Sequence, residues 1–378
     1  MSDFRSHYGA EIGLAFILIA IALLVHDCVI QPLWNSICKG AVLEVPPYTI
    51  QQAIDSSSIG DSILIHQGIY EGNLSIQDKN FTILGDGTAT ISGKIHANSC
   101  GIIFQNLGFT NVIHQPMPGL STEWSDIAIH NCRFHDFYGS MELACYFYRC
   151  SGEISGTTFE NLTFEPCGSG YESGGVVTLY HCDNFFISNS IFRNCILFDE
   201  AALNIVNNPY ESATVQGCTF ENLTNTGDGA SGILVLGCHS VVVSNTFQNC
   251  AGGGAGAVGV SFYGSGASTP GFCLTIAQNA FYSNSARSGY NEVASAILGV
   301  GIGDFNGYIN YNRFTGNIGQ AVVHSEVDGE HTWNLENNWW EDASGPYQPG
   351  LNPEGRGDTV GGNIDFDPWE GQVDTPVM

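Results

Sequence analysis

The sequence has 378 residues, with 10 Lys and Arg against 37 Asp and Glu, a formal net charge of −27. So acidic a chain excludes a nucleic-acid partner, because phosphate contacts need a basic face, and it disfavours polyanionic substrates on the same ground. One compact core is not expected at this length, whereas a stack of repeats has no such ceiling, since each unit touches only its neighbours.

The first element is apolar. Ile12 to Val25 is an unbroken run of apolar and small residues, the length of a signal-peptide core and short of the ~20 residues of a spanning helix. Residues 1–30 are therefore read as a hydrophobic helix: a secretory signal, a membrane anchor if uncleaved, or a packing helix for self-assembly. The expected location is extracellular or at the cell surface. Residues 31–47, with Pro32, Pro46 and Pro47, form a linker.

From residue 48 the pattern changes. Ile50, Ala53 and Ile54 share one helical face, and Thr49 precedes them as an N-cap, which predicts a short cap helix near 49–55. Beyond it an aromatic returns at Phe109, Phe134, Phe159, Phe192, Phe220, Phe247, Phe281, Phe314 and Trp340. Asn111, Asn161, Asn194, Asn222 and Asn249 follow it by two residues, Asp136 takes the same slot, and Asn284 and Asn317 come one residue later. Intervals of this size mean stacked repeats. Short β-rich runs such as Val176–Leu179 and Ile233–Leu236, separated by Asn, Gly and Ser, give three strands per unit without a crossover helix. The predicted fold is all-β: a right-handed single-stranded parallel β-helix over 48–370, with an aromatic column inside and Asn side chains bonding between coils at the bends. Residues 337–370 form a Trp-rich closing segment in which Trp339, Trp340 and Trp369 cover the last open edge. Residues 371–378 are a tail.

Thirteen Cys fall largely in repeat slots, as small apolar core filling; neither CxxC pairs nor a Cys/His zinc spacing occurs, and disulfides between coils stay open. Arg133, Arg193 and Arg313 adjoin the aromatic slot and read as outward turn residues. His130 and His135 flank Phe134 and form the one local His cluster, near Asp136. Asn73, Asn80, Asn161 and Asn222 are N-glycosylation sequons.

The variable loops are the expected site. If the coils stack in register, Glu142, Glu172, Asp199, Glu200, Asp228 and Glu292 line one groove, with Tyr171, Tyr210 and Tyr290 as flat faces for sugar rings. Asp199 and Glu200 follow Asn194, and Asp228 follows Asn222, by five or six residues. Such a column of carboxylates repels itself unless it splays, gains protons or binds a cation, so Ca²⁺ is the one cofactor to consider.

Both ends of the repeat region carry a resemblance. Tyr48-Thr49-Ile50-Gln51-Gln52-Ala53-Ile54-Asp55, Gly60-Asp61-Ser62-Ile63-Leu64-Ile65, Gly68-Ile69-Tyr70-Glu71 and Phe81 to Gly85 resemble the opening of pectin-lyase-like right-handed β-helix proteins, in which the Thr-Ile-Gln-x-Ala-Ile segment is the cap helix. Asn337-Asn338-Trp339-Trp340, Ser344-Gly345-Pro346, Asn352 to Asp358, Asn363 to Phe366 and Pro368-Trp369 are similar to the closing motif of surface β-helix repeat proteins, with Glu341 where Gly is common. The resemblance implies fold more than activity. No Asp-Asp pair, Gly-His-Gly or Arg-x-Lys of polygalacturonase-like enzymes occurs, nor the Gln-Asp and Arg-Pro-Trp signatures of pectin methylesterase-like ones. Pectate-lyase-like chemistry would need carboxylate-bound Ca²⁺ and a basic residue to take the proton α to a uronate, and basic residues are few. The expectation is therefore a non-catalytic surface protein that recognises a polysaccharide or other glycan. The alternatives are a polysaccharide lyase or glycoside hydrolase, and a structural or filament subunit.

Overall fold

The computed structural model describes residues 40–110, 118–139, 143–164, 175–206, 211–261, 273–287, 293–300, 307–325 and 332–371; the apolar run at 12–25 lies outside them. Nearly all regular structure is parallel β. Each coil contributes a strand to sheet 1, turns a bend into sheet 2, and then enters sheet 3. Sheet 1 runs from Val42–Val45 to Tyr308–Asn310, sheet 2 from Gly68–Glu71 to Arg313–Thr315, and sheet 3 from Leu74–Gln77 to Gly357–Gly362 and Pro346–Tyr347. A narrow fourth sheet, Tyr138–Gly139 to Ser285–Ala286, inserts between sheets 2 and 3 in the middle coils. This is the parallel β-helix predicted from the repeat.

Alternation explains which side chains are inside. In sheet 2 the central residue of each three-residue strand points inward, and strand register places Phe109, Phe134, Phe159, Phe192, Phe220, Phe247, Phe281 and Phe314 one above another. Their rings stack at 4.4–5.0 Å, and Trp340 continues the column 4.5 Å beyond Phe314. The spacing is that of hydrogen-bonded strands, so column and ladder reinforce each other.

Polar residues hold the bends in two ways. Asn161, Asn194, Asn222 and Asn249 adopt positive φ, as Asn tolerates, and turn the chain outward after sheet 2. Within this slot Asn249 Nδ2 donates to Asn222 Oδ1 at 3.2 Å, and Asn222 Nδ2 to Asn194 Oδ1 at 3.3 Å. A second set lies inside: Asn245, Asn279, Asn312 and Asn338 are buried and joined amide to amide, each side-chain oxygen also accepting the backbone N–H of the rung before it. A parallel ladder joins Asn284 to Asn317 and ends on Asp358. The amides of these two ladders are thereby satisfied, as a dry interior requires.

The N-terminal end is closed by helix α1, Ile50–Ser56, which buries Ile50, Ala53 and Ile54. Thr49 Oγ1 accepts the Gln52 N–H at 3.1 Å and Gln52 Oε1 accepts the Thr49 N–H at 3.0 Å, a reciprocal capping box. At the far end Trp340 is fully buried in the column rather than lying over an edge. Trp339 lies under the Arg313 guanidinium, 5.6 Å from its ring centre, and Trp369 packs on Phe366.

The ten described cysteines carry thiols and form no disulfide with one another, and nine of them are buried. Burial pushes Cys132, Cys195, Cys218 and Cys250 up to about 12, as befits core filling rather than reactivity.

Candidate active site

The bend from sheet 3 to sheet 1 differs from the others. Its left-handed position is filled in successive coils by Ser99, Trp124, Arg149 and His181, with φ of 55°, 51°, 53° and 56°. Elsewhere this conformation is given mostly to Asn or Gly, which adopt it cheaply; a bulky side chain there costs of order 1 kcal/mol or more and persists where the surroundings impose it. The bends are locked in register, since the N–H of Ser99, Trp124, Arg149 and His181 donates to the carbonyl of Glu123, Tyr148, Tyr180 and Val206 in turn. The four side chains therefore project outward as one column.

Around this column lies an open cleft of about 500 Å³, lined by Trp124, Arg149, Asp126, Ser151, Asn80 and Ser99 among others. From Trp124 in its lining an aromatic row runs on along sheet 3. Trp124 is 54% exposed and meets the Tyr148 ring edge-on at 6.2 Å, and Tyr148 stacks on Tyr180 at 5.9 Å, the register Glu123, Tyr148, Tyr180 placing them on neighbouring strands of sheet 3. Arg149 lies 4.5 Å from the Trp124 ring centre and 5.2 Å from that of Tyr148, and makes no ion pair among the described residues. His181 packs edge-on against Tyr180, and its Nδ1 lies 3.3 Å from Glu211 Oε2. On the floor, Gly101 leaves room that a Cβ would lose, since it would meet Asn80 Oδ1 at 2.8 Å. Asp126 opens to the cleft, where crowding by protein atoms pushes its carboxyl above the ordinary range despite a hydrogen bond from Ser151 Oγ at 3.4 Å.

Two other arginines are committed elsewhere. Arg133 and Arg193 lie in strands of sheet 2, which corrects their assignment to turns: both donate to Glu160, Arg193 Nε at 2.8 Å. Burial raises the Glu160 carboxyl, but the hydrogen bonds and charges of Arg193 and Arg133 outweigh it and hold it below its usual range.

Three residues of the expected loop groove are described. Asp199 Oδ1 accepts the Asp228 N–H at 2.8 Å, so stacking does bring these two together, as parts of one turn system. Glu200 turns away, its Oε2 accepting from Asn204 Nδ2 at 2.8 Å. Glu142, Tyr171, Glu172, Tyr210, Tyr290 and Glu292 lie outside the described residues. Among the described residues no group of three or more His, Cys, Asp or Glu is arranged to hold a cation such as Ca²⁺. Sequence reasoning missed Trp124, Arg149 and His181. The signal was present: each precedes a buried Ser or Cys that leads into a sheet 1 strand, in a slot where a repeat protein ordinarily spends Asn or Gly.

No protein-family model and no curated protein matches the sequence. Solved structures do. A mannuronic acid specific polysaccharide family 6 lyase from human gut microbiota matches over 86% of this chain and 78% of its own, at 13% identity and a TM-score of 0.50. A family 6 polysaccharide lyase from Pseudopedobacter saltans matches over 89% and 94%, at 11% identity and 0.48, and the family 28 exopolygalacturonase of Yersinia enterocolitica over 87% and 79%, at 10% and 0.41. The fold is thus a parallel β-helix, like that of the family 6 lyase. The expectation of a non-catalytic glycan-recognition protein is corrected: the solved structure that matches at a TM-score of 0.50 is a polysaccharide lyase. The absent motifs excluded particular active-site patterns, not catalysis as such.

Proposed function

We propose that the protein is a carbohydrate-active enzyme, a polysaccharide lyase that cleaves a uronate-containing chain in the cleft at the sheet 3 to sheet 1 bend. The observation that carries this reading is Arg149, a cation without an ion pair among the described residues, held on an aromatic wall beside a His–Glu pair. Elimination needs three things: a positive group on the uronate carboxylate to acidify the α-proton, a base for that proton, and a donor for the leaving oxygen. Arg149 supplies the first through its guanidinium fork. His181 supplies the second: Glu211 holds the proton on Nδ1, leaving Nε2 as acceptor. Asp126, whose raised pKa favours the protonated form, supplies the third, and Trp124 gives the sugar a flat apolar face. The overall charge of −27 opposes a polyanion at long range, but screening within ~8 Å at physiological salt leaves the local field of the cleft to the groups that line it.

The test is incubation with a panel of polyuronates while following the ultraviolet absorbance of the unsaturated product. His181→Ala should lower the rate about 10²–10⁴-fold, the usual contribution of a general base, and Arg149→Ala should lower kcat/KM as strongly. New reducing ends without unsaturation would favour a hydrolase, with Asp126 as the acid. Turnover of neither kind on any uronate polymer would overturn the proposal. Action outside the cytoplasm is part of it, supported by the apolar run at 12–25; among the described residues no helix is long and apolar enough to cross a membrane. Fractionation of cells making the full chain checks the location.

A further inference from the structure

We propose that the outer face of sheet 1 carries a second active centre, a Ser155–His130–Glu153 constellation that hydrolyses ester groups on carbohydrate. Register sets it up. His130 and Ser155 are paired neighbours on adjacent strands, and Glu153 lies two residues before Ser155 on the same face. Ser155 Oγ is 2.7 Å from His130 Nδ1, and His130 Nε2 is 3.2 Å from Glu153 Oε1. With the proton on Nε2 directed at Glu153, Nδ1 accepts the hydroxyl proton of Ser155, the arrangement an activated serine requires. All three side chains are partly exposed, so the face is open to a bulky substrate.

The neighbours fit an acyl group. Continuing the row past Ser155, register places Ser188 and then Gln216 outward, and among the described residues no hydrogen bond engages the Ser188 hydroxyl or the Gln216 side-chain amide. They stand on the side of Ser155 opposite the base, where donors to a developing oxyanion belong. Phe186, paired with Glu153 and 37% exposed, offers an apolar contact for a short acyl chain.

The chemistry balances with water as the only co-reactant. Ser155 Oγ bonds to the ester carbonyl carbon while its proton passes to His130 and the carbonyl electron pair moves onto oxygen. Collapse breaks the bond to the sugar oxygen, which takes the proton from His130 and leaves as the alcohol. Water then repeats the cycle, releasing the carboxylic acid and restoring Ser155. This centre does not depend on the proposed lyase activity, although it shares strands with the cleft: Asp126 and His130 end one strand, Ser151 and Ser155 the next, some 13 Å apart at ~3.3 Å per residue.

The experiment uses the full chain with 4-nitrophenyl acetate, and separately with a fluorophosphonate probe followed by peptide mass spectrometry. Wild type should hydrolyse the ester at least 100-fold faster than Ser155→Ala and His130→Ala, Glu153→Gln should be intermediate, and the probe should label Ser155. Ser155→Ala should leave turnover of polyuronate unchanged, which separates failure of one centre from failure of the other. Hydrolysis by wild type no faster than by Ser155→Ala, or a probe adduct found elsewhere and not on Ser155, overturns the proposal. If Ser155→Ala does not fold, labelling of the wild type alone decides.

Discussion

Asp358 ends a ladder that is otherwise built of asparagine, and replacing it with asparagine should stabilise the protein in a pH-dependent way. Its Oδ2 accepts Asn317 Nδ2 at 2.6 Å and the Asn317 N–H at 3.3 Å, and the residue is 7% exposed. Burial drives its pKa from 3.8 to about 6; the bonds from Asn317 pull it down, and the nearby Glu341 carboxylate pushes it up again. The folded protein therefore holds this proton more tightly than the unfolded chain does. Ionised Asp358 costs stability above pH 6, and the cost fades as the pH falls towards 3.8, where both states are protonated. About two pH units at 1.36 kcal/mol each give roughly 3 kcal/mol at pH 8. Asp358→Asn keeps an acceptor for Asn317, offers Glu341 a donor, and carries no charge at any pH. Urea unfolding of both proteins across pH 4.5 to 8 should show the variant ahead by about 3 kcal/mol at pH 8, with the gap closing below pH 5. The difference between the two proteins isolates this group from the remaining carboxylates. A gap of equal size at both ends of the range, or a variant less stable at pH 8, would refute the reasoning.

Phe192→Ala should cost about 3–5 kcal/mol, read by the same unfolding assay, because it opens a cavity between two stacked rings. Asn279→Ala removes an amide that bonds Val242 O and Asn312 and accepts the Asn245 N–H; with orphaned buried groups at about 1–3 kcal/mol each, a loss of at least 2 kcal/mol is expected, and a smaller one would mean that water enters. Glu160→Gln should destabilise by about 1–2 kcal/mol, less than a fully buried pair because both arginines are half exposed. Since the Glu160 carboxyl is held below its ordinary 4.5, its contribution is present above that pH and is lost as the pH falls through the folded value, so the gap between wild type and variant should narrow in acid. Trp124→Ala should raise KM for oligosaccharide with little change in kcat if the ring is a platform, which steady-state kinetics resolves.

What the sequence made legible follows from what a stack repeats. From Phe109 to Phe314 the slot holds Phe in every coil because each ring must meet the next, so its spacing predicted both the column and its continuation by Trp340. The active-site candidates do not repeat. Trp124, Arg149 and His181 share a backbone conformation but no chemistry, and a search for residue types passes over them. The Arg133–Glu160–Arg193 clamp was hidden for another reason: the partners are separated by unequal intervals, and only strand register shows that they meet. Offsets along a loop mislead in the same way. Asp199 and Asp228 do come together, yet Glu200, adjacent in sequence, faces Asn204, because a turn rotates neighbouring side chains in different directions.

The bend that presents Trp124, Arg149 and His181 also makes the stack a ruler. Inside it, each coil ends on a small buried residue, Ser125, Cys150 or Cys182, while the residue just outside projects from the stack. The outer letter of any coil can thus be rewritten without disturbing the aromatic column, and duplicating one coil would push Trp124 and Arg149 apart by one rung of about 4.8 Å while every buried contact reformed. A lineage of such chains can change the length and order of its binding face in whole steps, with the scaffold serving as the unit of measure.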